Sequence, residues 1–470
     1  MPASASRLFP WILGGLLLPV LAAAGRPMRA ETLPGEDWAQ SCASENPYLA
    51  TTFFSRGRQL GDAAVKAFKD SANNSGHLTL ATQRQVGATW GLAYVEAEQA
   101  LYAAAFHKRG TAFGPGGPGA LYRIDLRGGQ VRLWAQVPDA GEDRHEPSGT
   151  TGPDTKARDW AGKTSLGDID ASEDGSLLFV SNLASRRIYR YRLADGALLD
   201  SVPHGAAAEP WAAEARPFGL KVWRGRLYQG LVHSAMESQD RSLLEARVYA
   251  SALDGSDLRL VNRFPLNYER GLGFYIRSGA RDFEIPADWR PWKDGYNTSG
   301  PDRDGLRFLD NAFPQPLLAD IEFSDAGDMI LGLRDRFGDM GYNGLNDLGA
   351  VAERPAVGVG DTLIARRDPT EERWLTQTTP EFYRYDAGPG LHEQNAIHNE
   401  TGYGGLGRLH RLDVVVTTAL DPLSNYAGGA MWFDNATGRD TAREDLYRAD
   451  DLRTFGKANG LGDLELLCPD

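Results

Sequence analysis

Cysteine and histidine are scarce in this chain. Its 470 residues include two cysteines and eight histidines, and none of the histidines has the spacing of a zinc-binding motif. A Gly-x-Ser-x-Gly nucleophile motif is also missing. The sequence therefore excludes the zinc sites and serine hydrolases that short motifs define, and it predicts no catalytic residue.

Positive charge and long apolar runs are limited as well. Fifty Lys and Arg residues against 63 Asp and Glu give a formal net charge of −13, which argues against nucleic acid or an anionic membrane as partner. After residue 24 no stretch is apolar enough to span a bilayer. We expect a chain without a transmembrane span, with an unknown protein or carbohydrate as its ligand.

The N-terminus does carry an apolar run. Arg7 precedes an apolar stretch from Leu8 to Leu21, and the small residues Ala22-Ala23-Ala24 follow it. This order is typical of a cleavable signal peptide. A membrane anchor is the alternative, but the run is short and contains Gly and Pro. The sequence thus predicts a signal peptide at residues 1–24 and a secreted protein, extracellular or at the cell surface, with the periplasm also possible.

Export places the two cysteines, Cys42 and Cys468, in an oxidising compartment. Two distant cysteines in an exported protein predict a single disulfide between the ends of the mature chain. Two free thiols are the alternative. The disulfide requires a fold that brings its ends together.

A two-strand pattern repeats along the chain: a short apolar strand, a polar turn and a second apolar strand. Five copies occur, at residues 91–103, 168–180, 219–228, 320–331 and 405–416. Further strand-like segments follow most copies, and two hairpins in succession make one four-stranded propeller blade. The pattern predicts an all-β fold, a β-propeller of six blades with seven possible, formed by residues 51–470 after a leading segment at 25–50.

The C-terminal residues 462–467 repeat only the first strand of this pattern. The remaining strands of that blade must come from the N-terminal part, near residues 51–55 or 78–82, so we expect strand exchange between the two ends to close the ring. Weak helical spacing predicts one helix near residues 62–73. Two long insertions, 141–163 and 271–310, are interpreted as loops and as the place where binding activity would lie.

Three aspartates occupy equivalent places in the repeated pattern: Asp168, Asp320 and Asp463. Each has a second carboxylate two residues later, on the same side of its strand. First strands of blades line the central channel, so these side chains are candidates for a calcium site. Alternatively, each aspartate accepts hydrogen bonds from the backbone of a neighbouring blade.

Other polar clusters have weaker patterns. His392, Glu393, His398 and Glu400 are interpreted as surface residues, because they lack helical or strand spacing for a metal. The segment from Asp339 to Asp347 fails the spacing of an EF-hand. The glycine-rich residues 114–119 are interpreted as a turn within a blade.

Three groups of residues carry a likeness to a known family: 85–94 with 105–109 and 114–120; 320–323 with 329–338; and 421–422 with 428–429 and 455–465. They resemble the N-terminal region of large bacterial surface proteins that also carry SdrD B-like modules. The resemblance implies a propeller-like extracellular region without an assigned activity. In that family calcium-binding B-type modules follow this region, so we expect either a free-standing version or one part of a longer gene product.

Two functions are compatible with these features. The first is an exported, non-enzymatic module for binding or cell-surface interaction. The second is a calcium-dependent propeller enzyme, of the lactonase or sugar dehydrogenase type, that uses the channel carboxylates. The sequence favours the first, because fold analogy alone supports the second.

Overall fold

The computed structural model describes the greater part of the chain, namely residues 31–32, 35–55, 61–69, 77–146, 154–278, 281–295, 312–341, 356–385, 396–424, 427–448 and 460–468. The predicted signal peptide, His392 and Glu393 lie outside these residues. Within them, no helix has both the length and the apolar character needed to cross a membrane.

The described strands form six four-stranded antiparallel sheets and one three-stranded sheet. The first seven strands are β1 (Tyr48–Phe53), β2 (Ala63–Lys69) and β3 (Leu78–Thr82) of blade 1, and β4 (Thr89–Val95), β5 (Ala100–Ala105), β6 (Ala120–Asp125) and β7 (Val131–Gln136) of blade 2. Blade 3 comprises β8 (Leu166–Ala171), β9 (Leu177–Asn182), β10 (Arg187–Arg192) and β11 (Ala197–Pro203). Blade 4 comprises β12 (Ala215–Trp223), β13 (Arg226–His233), β14 (Glu245–Ala252) and β15 (Arg259–Pro265).

Blade 5 comprises β18 (Pro316–Phe323), β19 (Met329–Asp335), β20 (Asp361–Asp368) and β21 (Arg373–Gln377), and blade 6 comprises β23 (Gly402–Leu409), β24 (Val414–Leu420), β25 (Gly428–Asp434) and β26 (Asp440–Tyr447). The strands β16 (Leu272–Ser278), β17 (Arg281–Pro286) and β22 (Ala396–His398) form the three-stranded sheet. The last strand, β27 (Leu461–Leu466), belongs to blade 1. The described α-helices are α1 (Gly35–Cys42), α2 (Gln83–Val86) and α3 (Arg336–Met340), and single 3-10 turns lie at Glu96–Glu98, Gly117–Gly119, Arg158–Trp160, Ala212–Glu214 and Arg241–Leu243.

The six blades close into a ring, which confirms the predicted fold. Within each of blades 2 to 6 the four strands follow one another in chain order, and the first strand contacts the first strands of the adjacent blades. The five predicted hairpins are the two inner strands of these blades. Strands such as β5, β19 and β24 are buried along their whole length, whereas the outer strand β11 is mostly exposed. The core therefore lies between blades, as in a propeller.

Blade 1 joins the two ends of the chain. Its strand order is β27-β1-β2-β3, and Leu49 pairs with Leu466 in the antiparallel ladder. The predicted strand exchange is thus confirmed. Cys42, the last residue of α1, forms the predicted disulfide with Cys468, two residues beyond β27, with the two α-carbons 5.5 Å apart. The disulfide fixes the two ends at the place where the ring closes.

Two expectations about local structure are wrong. The predicted helix near residues 62–73 is instead the strand β2, which pairs with β1 and β3. Because β2 is buried on both faces, its sequence lacks the polar alternation that would have identified a strand. The insertion 271–310 is not entirely loop, since its described part contains β16 and β17, which form the three-stranded sheet with β22.

Candidate functional site

The three predicted aspartates lie on inner strands of alternate blades: Asp463 in blade 1, Asp168 in blade 3 and Asp320 in blade 5. The Oδ2 atom of each accepts a hydrogen bond from the backbone N–H of a leucine in the next blade. These bonds are Leu92 N–H to Asp463 at 2.8 Å, Leu220 N–H to Asp168 at 2.8 Å and Leu406 N–H to Asp320 at 2.6 Å. The Oδ1 atom of each accepts the N–H of its own next residue at 2.7 to 2.9 Å.

The backbone explains why these donors are available. Strand pairing shifts register just before each leucine, for example between Pro217 and Leu220. Because the inner edge of a first strand has no further strand beside it, an N–H there needs another acceptor. The aspartates supply it. The backbone contacts that the sequence offered as the alternative to calcium are therefore present, and calcium binding by these residues stays a prediction.

Glycines mark the other three junctions between blades. A side chain at Gly91, Gly219 or Gly405 would come within 3.0 Å of the backbone of the following blade. The neighbours are the backbone around Asp168, Asp320 and Asp463. Around the ring, junctions with carboxylate hydrogen bonds therefore alternate with junctions of close glycine packing. The six blades are thus arranged as three pairs.

Burial dominates the electrostatics of the channel. It raises the pKa of Asp168, Asp320 and Asp463 well above the usual range, and the negative charge of a neighbouring aspartate adds to the effect in each case. The neighbouring side chain of Asp463 raises the pKa of Asp320 further, because two carboxylates close together disfavour each other's charged form.

The second carboxylates lie nearer to one end of the channel. Asp170 accepts the N–H of Val222 at 2.5 Å, Glu465 accepts the N–H of Tyr94 at 3.0 Å, and Lys221 forms an ion pair with Glu322 at 2.8 Å. Burial raises the pKa of Glu465 well above its usual range. These residues mark the transition from the closed channel to an open cavity.

That cavity, which we call the bowl, has a volume of about 550 Å³ at the ends of the inner strands. Its described lining has six acidic side chains, namely Glu96, Asp170, Glu173, Asp174, Glu322 and Glu465. It also has three basic side chains, Lys221, Arg224 and Arg408, and the imidazole of His410. The wall also contains Trp223, stacked on Phe323 with ring centres 4.1 Å apart. The bowl thus combines an excess of negative charge with an aromatic surface.

The opposite end of the channel is closed by a buried charge cluster, which we call the plug. Asp339 in α3 accepts two hydrogen bonds from Arg334, at 2.6 and 2.7 Å, and one from Lys108 at 3.1 Å. All three side chains are 0% exposed. Burial lowers the pKa of Lys108 to about 8, while the two cations hold the pKa of Asp339 below its usual value despite its burial. The plug joins blade 2 to blade 5 across the ring.

A third acidic group was not predicted. Asp361, Glu381 and Glu400 bring one carboxylate oxygen each to within 4.8 Å of one another. Only Glu400 had been noticed in the sequence, as a surface residue, and that interpretation is wrong, because it is 8% exposed. The three residues are isolated in the sequence, and no local spacing could have connected them.

The other predicted features have these positions. His398 is the last residue of β22. The glycine-rich residues 114–119 connect β5 to β6, as predicted. Asp339 belongs to the plug, and the rest of the oxygen-rich segment that follows it lies outside the described residues.

Comparison with known proteins finds sequence relatives but does not assign the chain to a family. No protein-family model matches the chain. Colossin-A of Dictyostelium discoideum is 26% identical over 441 residues, which are 88% of this chain and 4% of Colossin-A. Colossin-D of the same organism is 26% identical over 447 residues, 87% of this chain and 44% of Colossin-D. The chain thus spans less than half of the length of either relative.

Among solved structures, the periplasmic gluconolactonase of Pseudomonas aeruginosa aligns with a TM-score of 0.37 and 11% identity. The alignment covers 90% of this chain and 100% of that structure. The assignment of a propeller here depends on the strand order and not on this similarity.

Proposed function

We propose that the chain is an exported, non-enzymatic binding module, and that the bowl binds a basic segment of a protein partner. The observation that carries this proposal is the difference between the two ends of the channel. The plug fills one end with buried, paired charges, whereas the other end opens into a cavity of about 550 Å³. A ligand therefore has access to the bowl.

Charge and aromatic surface support a basic ligand. Acidic side chains outnumber basic ones six to three in the bowl, and a Lys or Arg side chain is attracted both by carboxylates and by the face of a tryptophan. The guanidinium of Arg224 lies 4.2 Å from the centre of the Trp223 ring, so this ring already binds a cation within the protein. The net charge of −13 extends the attraction over the whole surface.

The channel itself offers little for the enzyme alternative. The sequence hypothesis assigned catalysis to the channel carboxylates, but Asp168, Asp320 and Asp463 each use both oxygens for backbone N–H groups. The space among them is about 10 Å³, the size of a single water site. Export is supported by the disulfide, which is typical of oxidising compartments. The resemblance to bacterial surface proteins is consistent with this role.

The proposal can be tested with a fluorescently labelled hexalysine peptide and fluorescence anisotropy. We expect binding that weakens with added salt and that Glu96→Lys reduces about two- to fivefold, since an exposed ion pair contributes ~0.2–1 kcal/mol. Glu237→Lys is the matched control, because Glu237 is exposed, does not line the bowl and gives the same net charge.

Three outcomes contradict the proposal. An equal loss in both variants would mean that hexalysine responds to net charge and not to the bowl. Calcium-dependent hydrolysis of gluconolactone, lost in Asp320→Asn, would favour the enzyme alternative. Binding of a neutral oligosaccharide in place of the peptide would redirect the search to a carbohydrate ligand.

A further inference from the structure

Two buried histidines lie side by side next to the plug. His107 follows β5 and comes immediately before Lys108 of the plug, and His145 lies in the long insertion 141–163 between β7 and β8. Their ring centres are 4.6 Å apart. The side chain of His107 is fully buried and that of His145 is 6% exposed. The pair is therefore on the plug side of the ring, away from the bowl.

Each histidine uses one ring nitrogen for a hydrogen bond. His107 Nε2 donates to the backbone carbonyl of Ala157 at 3.0 Å, and His145 Nδ1 donates to Oδ2 of Asp154 at 2.6 Å. Burial raises the pKa of Asp154, but hydrogen bonds from His145 and from two backbone N–H groups outweigh it and leave this pKa below its usual value. A carbonyl and an ionised carboxylate can only accept, so the proton of each neutral ring lies on the nitrogen that donates.

The other ring nitrogen of each histidine has no partner. His107 Nδ1 and His145 Nε2 are buried, and neither makes a hydrogen bond within the described part of the chain. Burial, with a further contribution from the neighbouring His145, lowers the pKa of His107 to about 3. This ring is therefore neutral at physiological pH, and its Nδ1 carries a lone pair. A buried acceptor left in this way costs free energy unless a donor or a cation satisfies it.

The surroundings hold both rings in place. Asp154 is fully buried and also accepts the N–H of Gly110 at 3.0 Å and that of Glu146 at 2.9 Å, so it ties the segment after β5 to the insertion between β7 and β8. The ring of Phe113 contacts both imidazoles, with centres 5.6 and 5.3 Å away. A histidine that ligates a metal typically donates its second nitrogen to a carbonyl or a carboxylate, and both rings have this arrangement.

We propose that His107 and His145 together bind a divalent transition-metal ion. Imidazole nitrogen is a ligand for zinc, nickel and copper, whereas calcium requires oxygen. At a metal–nitrogen distance of about 2.0–2.1 Å a ring centre lies about 3 Å from the ion, so two rings on one ion have centres within about 6 Å of each other. The observed 4.6 Å satisfies this limit. Water supplies further ligands, as it does in metal sites that keep an open position.

Copper is the probe, because Cu²⁺ binds nitrogen ligands more tightly than the other divalent ions of the first row and its electron paramagnetic resonance spectrum counts them. One equivalent of Cu²⁺ added to the full chain without an affinity tag should give hyperfine splitting from two nitrogens, and excess zinc should displace the ion. His107→Gln and His145→Gln should each remove one nitrogen from the pattern. Each should weaken binding about tenfold or more, since even the outer partners of metal ligands contribute that much.

His204→Gln is the matched control. His204 is 6% exposed, and its Nδ1 is also buried without a hydrogen bond among the described residues. No second imidazole lies beside it in that part of the chain, and the neighbouring Arg186 and Arg216 disfavour a further positive charge. This variant should bind copper like the wild type.

A second readout is the melting temperature, which zinc should raise by mass action in the wild type and in His204→Gln but not in the two variants of the site. A cooperative melt without metal shows that a variant is folded, and His145→Gln alone suffices for the test if His107→Gln does not fold. The inference is overturned if the wild type shows no nitrogen splitting, if the splitting from two nitrogens survives His145→Gln, or if His204→Gln removes it. None of these outcomes depends on whether the bowl binds hexalysine.

Discussion

Two groups of three carboxylates lie in this protein, and their surroundings differ. In the channel, Asp168, Asp320 and Asp463 each use both oxygens for backbone N–H groups. In the cavity between blades 5 and 6, Asp361 has an oxygen with no hydrogen bond among the described residues and shares one arginine with Glu400.

The difference teaches that the number of acidic residues does not by itself identify an ion site. A buried carboxylate can be satisfied by backbone donors, by a shared proton, by a basic side chain or by a metal ion. The channel uses backbone donors, and the plug uses basic side chains. In the acidic cavity one basic side chain, Arg270, contacts both Asp361 and Glu400.

The largest expected effect comes from opening the ring that builds the channel. Cys42→Ala with Cys468→Ala removes a cross-link between residues 426 apart, which on the chain-entropy model stabilises the fold by up to about 6 kcal/mol. Urea denaturation of the double variant against the wild type should show the loss.

Hydrogen exchange would locate the effect. Amides of β27 and β1 should exchange faster in the double variant, and amides of β20 should keep their wild-type rates, because β20 belongs to blade 5. Uniformly faster exchange would contradict the view that the disulfide acts on blade 1 first.

The next effect concerns carboxylates that are neutralised by basic side chains. Asp339→Asn leaves Arg334 and Lys108 buried without their anion, which should destabilise the fold by about 3–5 kcal/mol. The same denaturation experiment measures it. The matched variant Asp294→Asn removes a partly exposed partner of Arg336 and Lys163 and should cost much less. Equal costs would mean that burial of the plug does not set its energy.

Asp320→Ala tests the channel group directly. It leaves the N–H of Leu406 without an acceptor and should cost about 1–3 kcal/mol at any calcium concentration. Asp320→Asn, which keeps an acceptor oxygen, should cost less. If instead calcium stabilises the wild type and Asp320→Asn abolishes that response, the channel prediction made from the sequence is correct and the distinction between the two groups fails.

Much of the channel could be predicted from the sequence, because its signals are local and repeated. The Asp-x-Asp and Asp-x-Glu patterns recur at the same place in three inner strands, and period-two alternation fixes which side chains share a face. Ring closure could be predicted because the last strand repeats only the first strand of the pattern. The two cysteines, one near each end of the mature chain, indicated the same closure. Strand β2 was missed since both of its faces are buried.

The other sites could not be predicted, because they depend on the ring itself. Lys108 and Asp339 are 231 residues apart, and they meet only because blades 2 and 5 face each other across the channel. Asp361 begins β20, Glu381 follows β21 and Glu400 precedes β23, and their approach depends on how blade 5 packs against blade 6. No spacing within the chain carries that information.

The smallest expected effect is a dependence of stability on pH that the channel aspartates cause. The folded-state pKa values of Asp168, Asp320 and Asp463 are raised above 3.8 by burial, so the folded state binds more protons than the unfolded state above that pH. Their contribution to the free energy of unfolding is therefore present in full below pH 3.8 and is lost as the pH rises through the raised pKa values. Asp320→Asn removes one of these titrating groups and should flatten the decline, measured by urea denaturation at a series of pH values above 3.8.

Asp174→Asn is the control, because hydrogen bonds lower the pKa of this exposed residue, and its contribution is lost only as the pH falls. A decline that calcium removes in the wild type but not in Asp320→Asn would place the ion in the channel.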